Sequence, residues 1–310
     1  MTKMSNSRRK NNEHASDASL AIIMLSLNEG HNMTGVLDNI SDIADEIFLV
    51  DSFSSDDTVD KALERGVEVY QRTFRGFGDQ WNWAITELPI QSAWTMKLDP
   101  DERLSDELKQ NMRRAMVASG SNGFVVKRQL QFLDRPLPVR QAILRVWRTG
   151  TARFSDVLVN EHPIIEADAA ILDGNLHHHD SPNLHHWYEK QNRYTTLEAK
   201  SAFEGAKLSV HSRLFGTNLE RRMWMKVNFK RLPFRHTLMF LFCLVGQGAW
   251  RAGRIGWIWA RLRSDVYRMI DCKTYEMHLH GTSYAPPPPP KGPPHPRAIQ
   301  ADQLNAGESA

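Results

Sequence analysis

The stretch Trp94–Arg103 reads WTMKLDPDER and decides the fold we expect for this chain. Its first five residues are mostly apolar and predict a short buried strand. Two carboxylates, Asp99 and Asp101, follow one residue apart. Acidic oxygens at the end of a strand are typical ligands of hard divalent cations, which also bind substrate phosphates. A simpler interpretation is that Asp101 or Ser105 caps a helix at residues 106–116.

The residues before this stretch alternate between strand and helix patterns. We expect strands at residues 21–25, 46–51, 67–70 and 94–98. Between them we expect a loop and then a helix at 28–40, a helix that runs from possible caps at 54–58 through residue 65, and a helix at 77–88. Strands separated by helices of this length form right-handed βαβ units and a parallel sheet, and ligands bind at the carboxyl ends of its strands. Asn28, Glu29, Asp51 and Ser52 fall at those ends together with the acidic pair. The sequence therefore predicts an α/β fold with a polar site along one edge.

Composition restricts the class of protein and its surroundings. The 310 residues carry a net charge of +3, but residues 207–273 hold fourteen Lys and Arg against three Asp and Glu. This basic segment on an acidic body indicates an anionic partner, either phospholipid or nucleic acid. The two cysteines, Cys243 and Cys272, form no disulfide framework and favour a reducing compartment. We see no secretory signal and no apolar run long enough to span a bilayer.

Four segments are expected along the chain. Residues 1–18 are polar and predicted to be disordered. Residues 19–235 form the α/β domain, with one half at 19–120 and a second at 121–235, where two strands joined by a Pro-containing hairpin precede a helix from Pro182 to Gly205. Residues 236–283 are predicted to be helical. Residues 284–310 contain Pro286–Pro290 and are predicted to be a polyproline, disordered tail.

Several motifs together resemble family 2 glycosyltransferases, in particular bacterial enzymes of lipopolysaccharide core and surface polysaccharide synthesis. The matching stretches are Leu25–Glu29, Ala44–Thr58, Arg75–Ala84, Leu98–Arg103, Val159–Glu161 and Tyr188–Tyr194. Their order and spacing agree with the family from about Ser19 to Tyr275. The resemblance implies a GT-A fold, in which a Rossmann-like nucleotide half is continuous with an acceptor half.

The resemblance also implies roles for the acidic residues. Asp51, with Ser52, is expected to bind the base or ribose of a nucleotide-sugar; otherwise Asp51 is a turn residue. Asp101 is the expected direct ligand of Mg²⁺ or Mn²⁺, and Asp99 its companion that also contacts ribose. Pro100 biases Asp99 toward an extended backbone. Asn28 and Glu29 either contact the nucleotide or cap the following helix.

An inverting transfer needs a base for the acceptor hydroxyl, and a carboxylate is the usual group. Glu161 in the Val159–Glu161 motif is the candidate, with Glu102 and Asp156 as rivals. The family's more usual Glu-Asp base motif is not visible. Lys190 and Arg193 lie on one helix face and either hold the departing diphosphate or form a solvated basic surface.

Five histidines stand close together in sequence, at His177–His179 and at His185 and His186. Their spacing fits no common zinc pattern, and cysteine ligands are absent. We expect them to line the acceptor pocket or to be exposed.

The basic C-terminal third predicts a membrane contact. A helix from Arg251 places Ile255, Ile258, Leu262, Val266 and Met269 on one side, flanked by arginines and interfacial tryptophans. This composition is typical of a helix in the membrane plane, although a core helix with snorkelling arginines has the same pattern.

The predicted function is transfer of a sugar, UDP-hexose being the default donor, to a lipid-linked saccharide, lipopolysaccharide or exopolysaccharide acceptor. We expect a peripheral protein on the inner face of the cytoplasmic membrane. The alternatives are a nucleotidyltransferase that makes a nucleotide-sugar, which lacks its Gly-rich loop here, and an inactive scaffold whose Pro-rich tail binds aromatic grooves. No nucleic-acid-binding motif is present.

Overall fold

The structure, a computed structural model, describes residues 18–118, 120–154, 163–166, 168–205, 228 and 232–304. The chain divides into two compact units. The described residues of unit 1 lie within 1–128, 141–178 and 290–310, and those of unit 2 lie within 129–140 and 179–289. The chain thus leaves unit 1 and returns to it twice.

The helices and strands follow the predicted order with additions. The strands are β1 Leu20–Ser26, β2 Glu46–Asp51, β3 Glu68–Gln71, β4 Trp94–Lys97, β5 Glu102–Leu104, β6 Gly123–Phe132, β7 Arg135–Arg148, β8 Ala152–Phe154, β9 Pro163–Ile165, β10 Ala169–His179 and β11 Ile299–Gln300. The α-helices are α1 Gly30–Ile40, α2 Thr58–Glu64, α3 Phe77–Glu87, α4 Asp106–Ala118, α5 Leu184–Phe203, α6 Arg235–Leu241, α7 Gly253–His280 and α8 Ala301–Leu304. A π-helical turn, Phe242–Gly246, and a 3₁₀ turn, Ala249–Ala252, join α6 to α7.

The strands of the main sheet lie in the order β11-β3-β2-β1-β4-β7-β6-β10-β5 among the described residues. The five strands from β11 to β4 are parallel, and β7 runs antiparallel to β4. The first four predicted strands all lie in this parallel part, and the expectation of a mostly parallel sheet flanked by helices is confirmed.

The parallel strands are buried on both faces, which is why their sequences are continuous apolar runs. In β1 successive side chains point to opposite faces. Leu20, Ile22 and Met24 therefore belong to one apolar cluster with α1 and α4 residues. Ala21 and Ile23 belong to another with α3 residues such as Trp81. The sheet is thus held between two layers, and its polar groups can face solvent only at the strand ends.

Two further pairings of the sheet are antiparallel. A two-residue turn at Leu133 and Asp134, both with positive φ, joins β6 to β7 as in a type I′ hairpin. β10, which the sequence patterns missed, pairs antiparallel with β5, and His178 lies opposite Glu102. This register brings a histidine to the acidic loop after β4.

Unit 2 has an apolar core of its own, formed by the β6–β7 hairpin tip with α5, α6 and α7. Leu262 and Val266 are buried there beside Trp259, and Ile255, Ile258 and Met269 pack against them. The predicted membrane-facing side of this helix is therefore its core side, and that prediction is wrong. No described helix is long and apolar enough to cross a membrane.

The expected disorder of residues 284–310 is wrong for residues 290–304. This segment returns to unit 1, where β11 pairs parallel with β3, Ile299 opposite Tyr70 and Gln300 opposite Gln71. Backbone pairing and specific side-chain contacts explain its order, which composition alone did not indicate. The residues after 304 lie outside the described part, as do residues 1–17.

Candidate active site

The loop after β4 holds a buried cluster of opposite charges. Glu102 has no exposed surface, and its Oε1 lies 2.5 Å from Arg145 Nη2. The same guanidinium nitrogen lies 2.8 Å from Asp99 Oδ2. Glu102 Oε2 accepts a hydrogen bond from the Asp99 N–H at 3.1 Å. Arg145, which comes from the neighbouring strand β7, therefore clamps both carboxylates and fixes the loop.

The pKa values of this cluster follow from burial and from Arg145. Burial by itself would raise the pKa of Asp99, but Arg145 and Lys97 lower it to about 2. Burial raises the pKa of Glu102, although Arg145 opposes the rise. Burial would lower the pKa of Arg145, but the two carboxylates outweigh it and raise that pKa. Asp99 is thus held as an anion, and Arg145 as a cation.

The position of Glu102 contradicts its predicted role as a catalytic base. A general base must reach the proton it removes, and Glu102 is fully buried between Arg145 and the Asp99 backbone. Its place in the loop makes it a support for Asp99.

Asp101 points away from this clamp toward a histidine. His178 Nε2 lies 3.2 Å from Asp101 Oδ2, and the two side chains are 17% and 13% exposed. Burial disfavours a charged imidazole, but the Asp101 carboxylate raises the pKa of His178 above its usual value. Arg103 holds the loop from its other side by donating to the carbonyls of Pro100 and Asn32.

Asp101 and His178 fit a divalent cation. A carboxylate oxygen and an imidazole nitrogen both bind Mn²⁺, and Mg²⁺ is commonly held by one or two protein groups while phosphates and waters supply the rest. Across the residues that the structure describes, no group of three or more His, Cys, Asp and Glu side chains is arranged to hold a metal ion. Asp99, expected as a second ligand, instead directs Oδ2 to Arg145.

Asp51 lies at the end of β2 and is fully buried. Its carboxylate accepts hydrogen bonds from the hydroxyls of Ser26 and Ser54, the Ser54 N–H and the Gln71 amide. In this arrangement Asp51 offers no surface to a nucleotide, contrary to the prediction. It instead ties together the carboxyl ends of β1, β2 and β3. Ser52 is also buried, and its N–H donates to the Ser26 carbonyl.

Asn28 and Glu29 lie at the end of β1 and are partly exposed. Asn28 has a positive φ of 58° and accepts hydrogen bonds from Ser55 through its side-chain oxygen. Glu29 accepts from Asn32 and makes no side-chain cap to α1. Glu29 is thus the N-cap residue of α1 through its backbone carbonyl, and both residues stay candidates for nucleotide contact.

Lys190 and Arg193 belong to α5 in unit 2. The amine of Lys190 lies 3.2 Å from Asp180 Oδ1, and Arg193 donates to the Pro287 carbonyl at 2.8 Å. Both have partners within their own unit. Glu161, the predicted base, and Asp156 lie outside the described residues.

Sequence reasoning missed three residues of this site. His178 was noted only within a histidine run, and the decisive signal, its pairing opposite Glu102, needs the β5–β10 register. Arg145 stands two residues before Trp147 and belongs to none of the matching motifs. Gln71, which bonds Asp51, ends a short strand and carried no motif at all.

The mostly parallel sheet carries, beyond the end of β4, one aspartate clamped by Arg145 and a second paired with His178. The match to the family model "Glycosyl transferase family 2" extends over residues 21–200, more than half of the chain. The chain belongs to this family, and the expectation drawn from its motifs is confirmed.

The similar curated proteins are bacterial. An uncharacterized glycosyltransferase of Rickettsia prowazekii is 23% identical over 207 residues, which cover 61% of this chain and 70% of that protein. An uncharacterized glycosyltransferase of Rickettsia felis is 23% identical over 241 residues, covering 72% of this chain and 82% of that protein.

Solved structures with a similar arrangement include TarS residues 1–349 of S. aureus. It aligns with a TM-score of 0.43 and 14% identity over 86% of this chain and 93% of that chain. Glucosyl-3-phosphoglycerate synthase of Mycobacterium tuberculosis, crystallised with Mg²⁺ and uridine diphosphate, aligns with a TM-score of 0.31 and 19% identity over 37% of this chain and 44% of that chain.

Proposed function

We propose that this glycosyltransferase moves a hexose with inversion from UDP-hexose to a lipid-linked saccharide, as in lipopolysaccharide or exopolysaccharide synthesis. The observation that carries the proposal is the pair of acids in the loop after β4. Arg145 fixes Asp99, whose side chain is 34% exposed, and Asp101 faces His178 and is 13% exposed, so both carboxylates present an edge to an external group. Such a fixed acidic edge at a strand end suits a nucleoside diphosphate with its cation.

Asp101 and His178 are the residues that would hold Mg²⁺ or Mn²⁺. When bound, the cation supplies Lewis-acid stabilisation of the charge that develops on the departing diphosphate. The protein's own part is positional. Arg103 and the Glu102–Arg145 pair keep the loop in one geometry, so that the donor meets groups that need not reorganise.

The donor's nucleoside is proposed to lie against the partly exposed residues that follow β1, Asn28 and Glu29. Asp51 supports this surface from beneath by fixing Ser26, Ser54 and Gln71. Glu161 stays the proposed base for the acceptor hydroxyl, because an inverting attack needs a carboxylate on the face opposite the diphosphate.

The experiment is a donor screen with purified protein, Mn²⁺ or Mg²⁺ and membranes, read as release of nucleoside diphosphate. Transfer from one UDP-hexose and loss of that transfer in Glu161→Gln are expected. Release from no nucleotide-sugar under any cation would contradict the proposal, and full activity of Glu161→Gln would remove that residue from it.

We further propose that unit 2 binds an anionic membrane surface, which suits a lipid-linked acceptor and a position on the inner face of the cytoplasmic membrane. The supporting surface is the α6 face, defined as Leu238 and Leu241 of α6 with Phe242 and Val245 of the π-helical turn that follows it. All four side chains are apolar and 45–62% exposed.

Charge near the α6 face favours lipid as its partner. Trp250 and Trp257 are more than half exposed, and Phe240 contacts the Trp257 ring. Arg251, in the 3₁₀ turn, and Arg254, in the first turn of α7, are also exposed. Apolar side chains flanked by tryptophan and arginine are typical of surfaces that enter the headgroup region of anionic bilayers.

Vesicle sedimentation tests this contact. Phe242→Ser should weaken binding to phosphatidylglycerol vesicles about ten-fold, since one buried aromatic side chain is lost from the bilayer. Val117→Ser is the matched control, because Val117 is 72% exposed on α4 in unit 1. Equal binding by the Phe242 variant and the wild type would contradict the proposed surface.

A further inference from the structure

Residues 290–304, here called the strap, cross the carboxyl ends of three parallel strands of unit 1. The Pro290 carbonyl accepts a hydrogen bond from the Asn28 amide at 3.1 Å, at the end of β1. The Gly292 N–H donates to the Phe53 carbonyl at 2.9 Å, just after β2. Further on, β11 pairs with β3. The strap therefore lies on the edge where parallel sheets bind their ligands.

Gln71 connects the strap to the buried support of this edge. Its Nε2 donates to Asp51 Oδ2 at 3.0 Å. Its Oε1 accepts from the His295 N–H at 2.6 Å and from Gln300 Nε2 at 3.1 Å. Because Gln71 is 1% exposed, its amide orientation is fixed by these partners. The position of the strap and the hydrogen bonds of Asp51 therefore depend on the same side chain.

The strap also contacts two residues with positive φ. Asn28 has a φ of 58° and Phe53 a φ of 64°, in the left-handed region that asparagine tolerates but phenylalanine rarely adopts. Such conformations persist where surrounding contacts over-determine them, and they cluster at ligand sites. The hydrogen bond that the Asn28 amide donates to the Pro290 carbonyl and the one that the Gly292 N–H donates to the Phe53 carbonyl are among the contacts that hold Asn28 and Phe53.

We propose that the strap is a positioning element of the donor site, which holds Asn28, Phe53 and Gln71 in the arrangement that receives the nucleotide. This rests on the proposed use of a nucleoside diphosphate sugar. Strap docking and nucleotide binding then favour one another, because linkage makes a coupling between two events reciprocal. A strap that instead competed with the nucleotide would give coupling of the opposite sign.

Substitution of Gly292 by alanine, which adds one methyl group, should loosen the strap. A Cβ built on it would lie 2.5 Å from the Ser54 carbonyl oxygen, a backbone atom, so Gly292→Ala must move one of the two segments. Gly120→Ala is the matched control, since a Cβ at Gly120 meets nothing within 4 Å. Neither glycine has a positive φ.

The first measurement compares nucleotide binding and steady-state kinetics of these variants in the full chain. Gly292→Ala should weaken UDP binding in Mn²⁺ about five- to ten-fold and raise the donor KM by a similar factor, while kcat stays within about two-fold of wild type. Gly120→Ala should change neither. Thermal unfolding of both variants checks that they are folded. Unchanged or tighter UDP binding by folded Gly292→Ala would overturn the proposal.

The second measurement uses the wild type and reads the sign of the coupling. Lys291 and Arg297 are exposed trypsin sites within the strap. Saturating UDP with Mn²⁺ should slow cleavage at both at least about three-fold, with an added unrelated substrate protein reporting any effect on trypsin itself. Faster or unchanged cleavage would overturn the positioning role.

Different results would contradict the proposed function and the proposed role of the strap. A wild type that binds no nucleotide and transfers no sugar removes the proposed function together with the strap's role in it. A wild type that binds UDP normally, beside a Gly292→Ala variant with the same affinity, removes the strap's role alone.

Discussion

Asp51 and Asp101 both follow a buried strand of the same sheet, but their carboxylates meet different surroundings. Asp51 is fully buried and accepts hydrogen bonds from Ser26, Ser54 and Gln71. Asp101 retains an exposed fraction of 13% and faces His178. An acid whose acceptor capacity is met by the protein fixes the shape of the edge, whereas an acid that keeps some exposed surface can serve an external group. Asp51 therefore supports the sheet edge, and Asp101 is the acid that we propose takes part in the reaction.

The largest expected effect is on stability, from Asp51→Ala. Four donors around the carboxylate would lose their acceptor in a buried position, and each unsatisfied group is costly, so the free energy of unfolding should fall by about 4 kcal/mol. Urea unfolding followed by circular dichroism measures the change. Asp57→Ala is the control, because Asp57 is 58% exposed and paired with Lys61 at the surface; its effect should stay below about 1 kcal/mol. Equal effects of the two substitutions would contradict a supporting role for Asp51.

The next effect is on turnover, from Asp101→Ala. Loss of this carboxylate should lower kcat roughly 100- to 1,000-fold, the range for removing one transition-state contact, while the urea midpoint stays near that of the wild type. Product formation from the donor found in the screen measures it. Asp106→Ala, on the exposed first turn of α4, should retain wild-type kcat. A folded Asp101→Ala protein with normal turnover would contradict the proposal that Asp101 takes part in the reaction while Asp51 supports the sheet edge.

His178→Ala should have a smaller effect that depends on the metal. We expect activity at limiting Mn²⁺ to fall about 10- to 100-fold, the range typical of losing a group that orients or tunes a metal site. Part of the activity should return at high Mn²⁺, because Asp101 remains. A titration of activity against Mn²⁺ measures this. His177→Ala is the matched control, since adjacent strand residues point to opposite faces. Identical Mn²⁺ titrations of the His178 variant and the wild type would remove the histidine from the site.

The sequence predicts the parallel half of the sheet well because its signals are local. The apolar runs of β1, β2 and β4 and the acids after them are continuous in sequence. What it predicts poorly depends on pairing between distant segments. His178 joins Asp101 only through the β5–β10 register, and the strap joins β3 only through β11. Composition indicated disorder for the strap because a proline-rich sequence does not show that a distant strand, here β3, is available to pair with it.

The same limitation explains the error in the basic third of the chain. An apolar stripe at helical spacing on α7 has the same pattern whether it faces lipid or protein. Only the packing of Leu262 and Val266 beside Trp259 distinguishes the two. The exposed α6 face was too short to stand out in sequence.

The smallest expected effect concerns the contribution of Ser54 to the hydrogen-bond network around Asp51. The Ser54 hydroxyl donates to Asp51 and accepts from the Asn28 N–H, so Ser54→Ala should lower the free energy of unfolding by about 1–2 kcal/mol. Ser55→Ala, whose exposed hydroxyl bonds the Asn28 side chain, should cost less than about 0.5 kcal/mol. In an Asp51→Ala background the cost of Ser54→Ala should shrink by about 0.5 kcal/mol or more, since residues in one hydrogen-bond network are not additive. Full additivity in this double-mutant cycle would mean that Asp51 and Ser54 contribute to stability independently. The hydrogen bonds to the Asp51 carboxylate would then result from the conformation of the turn and would not be what holds it.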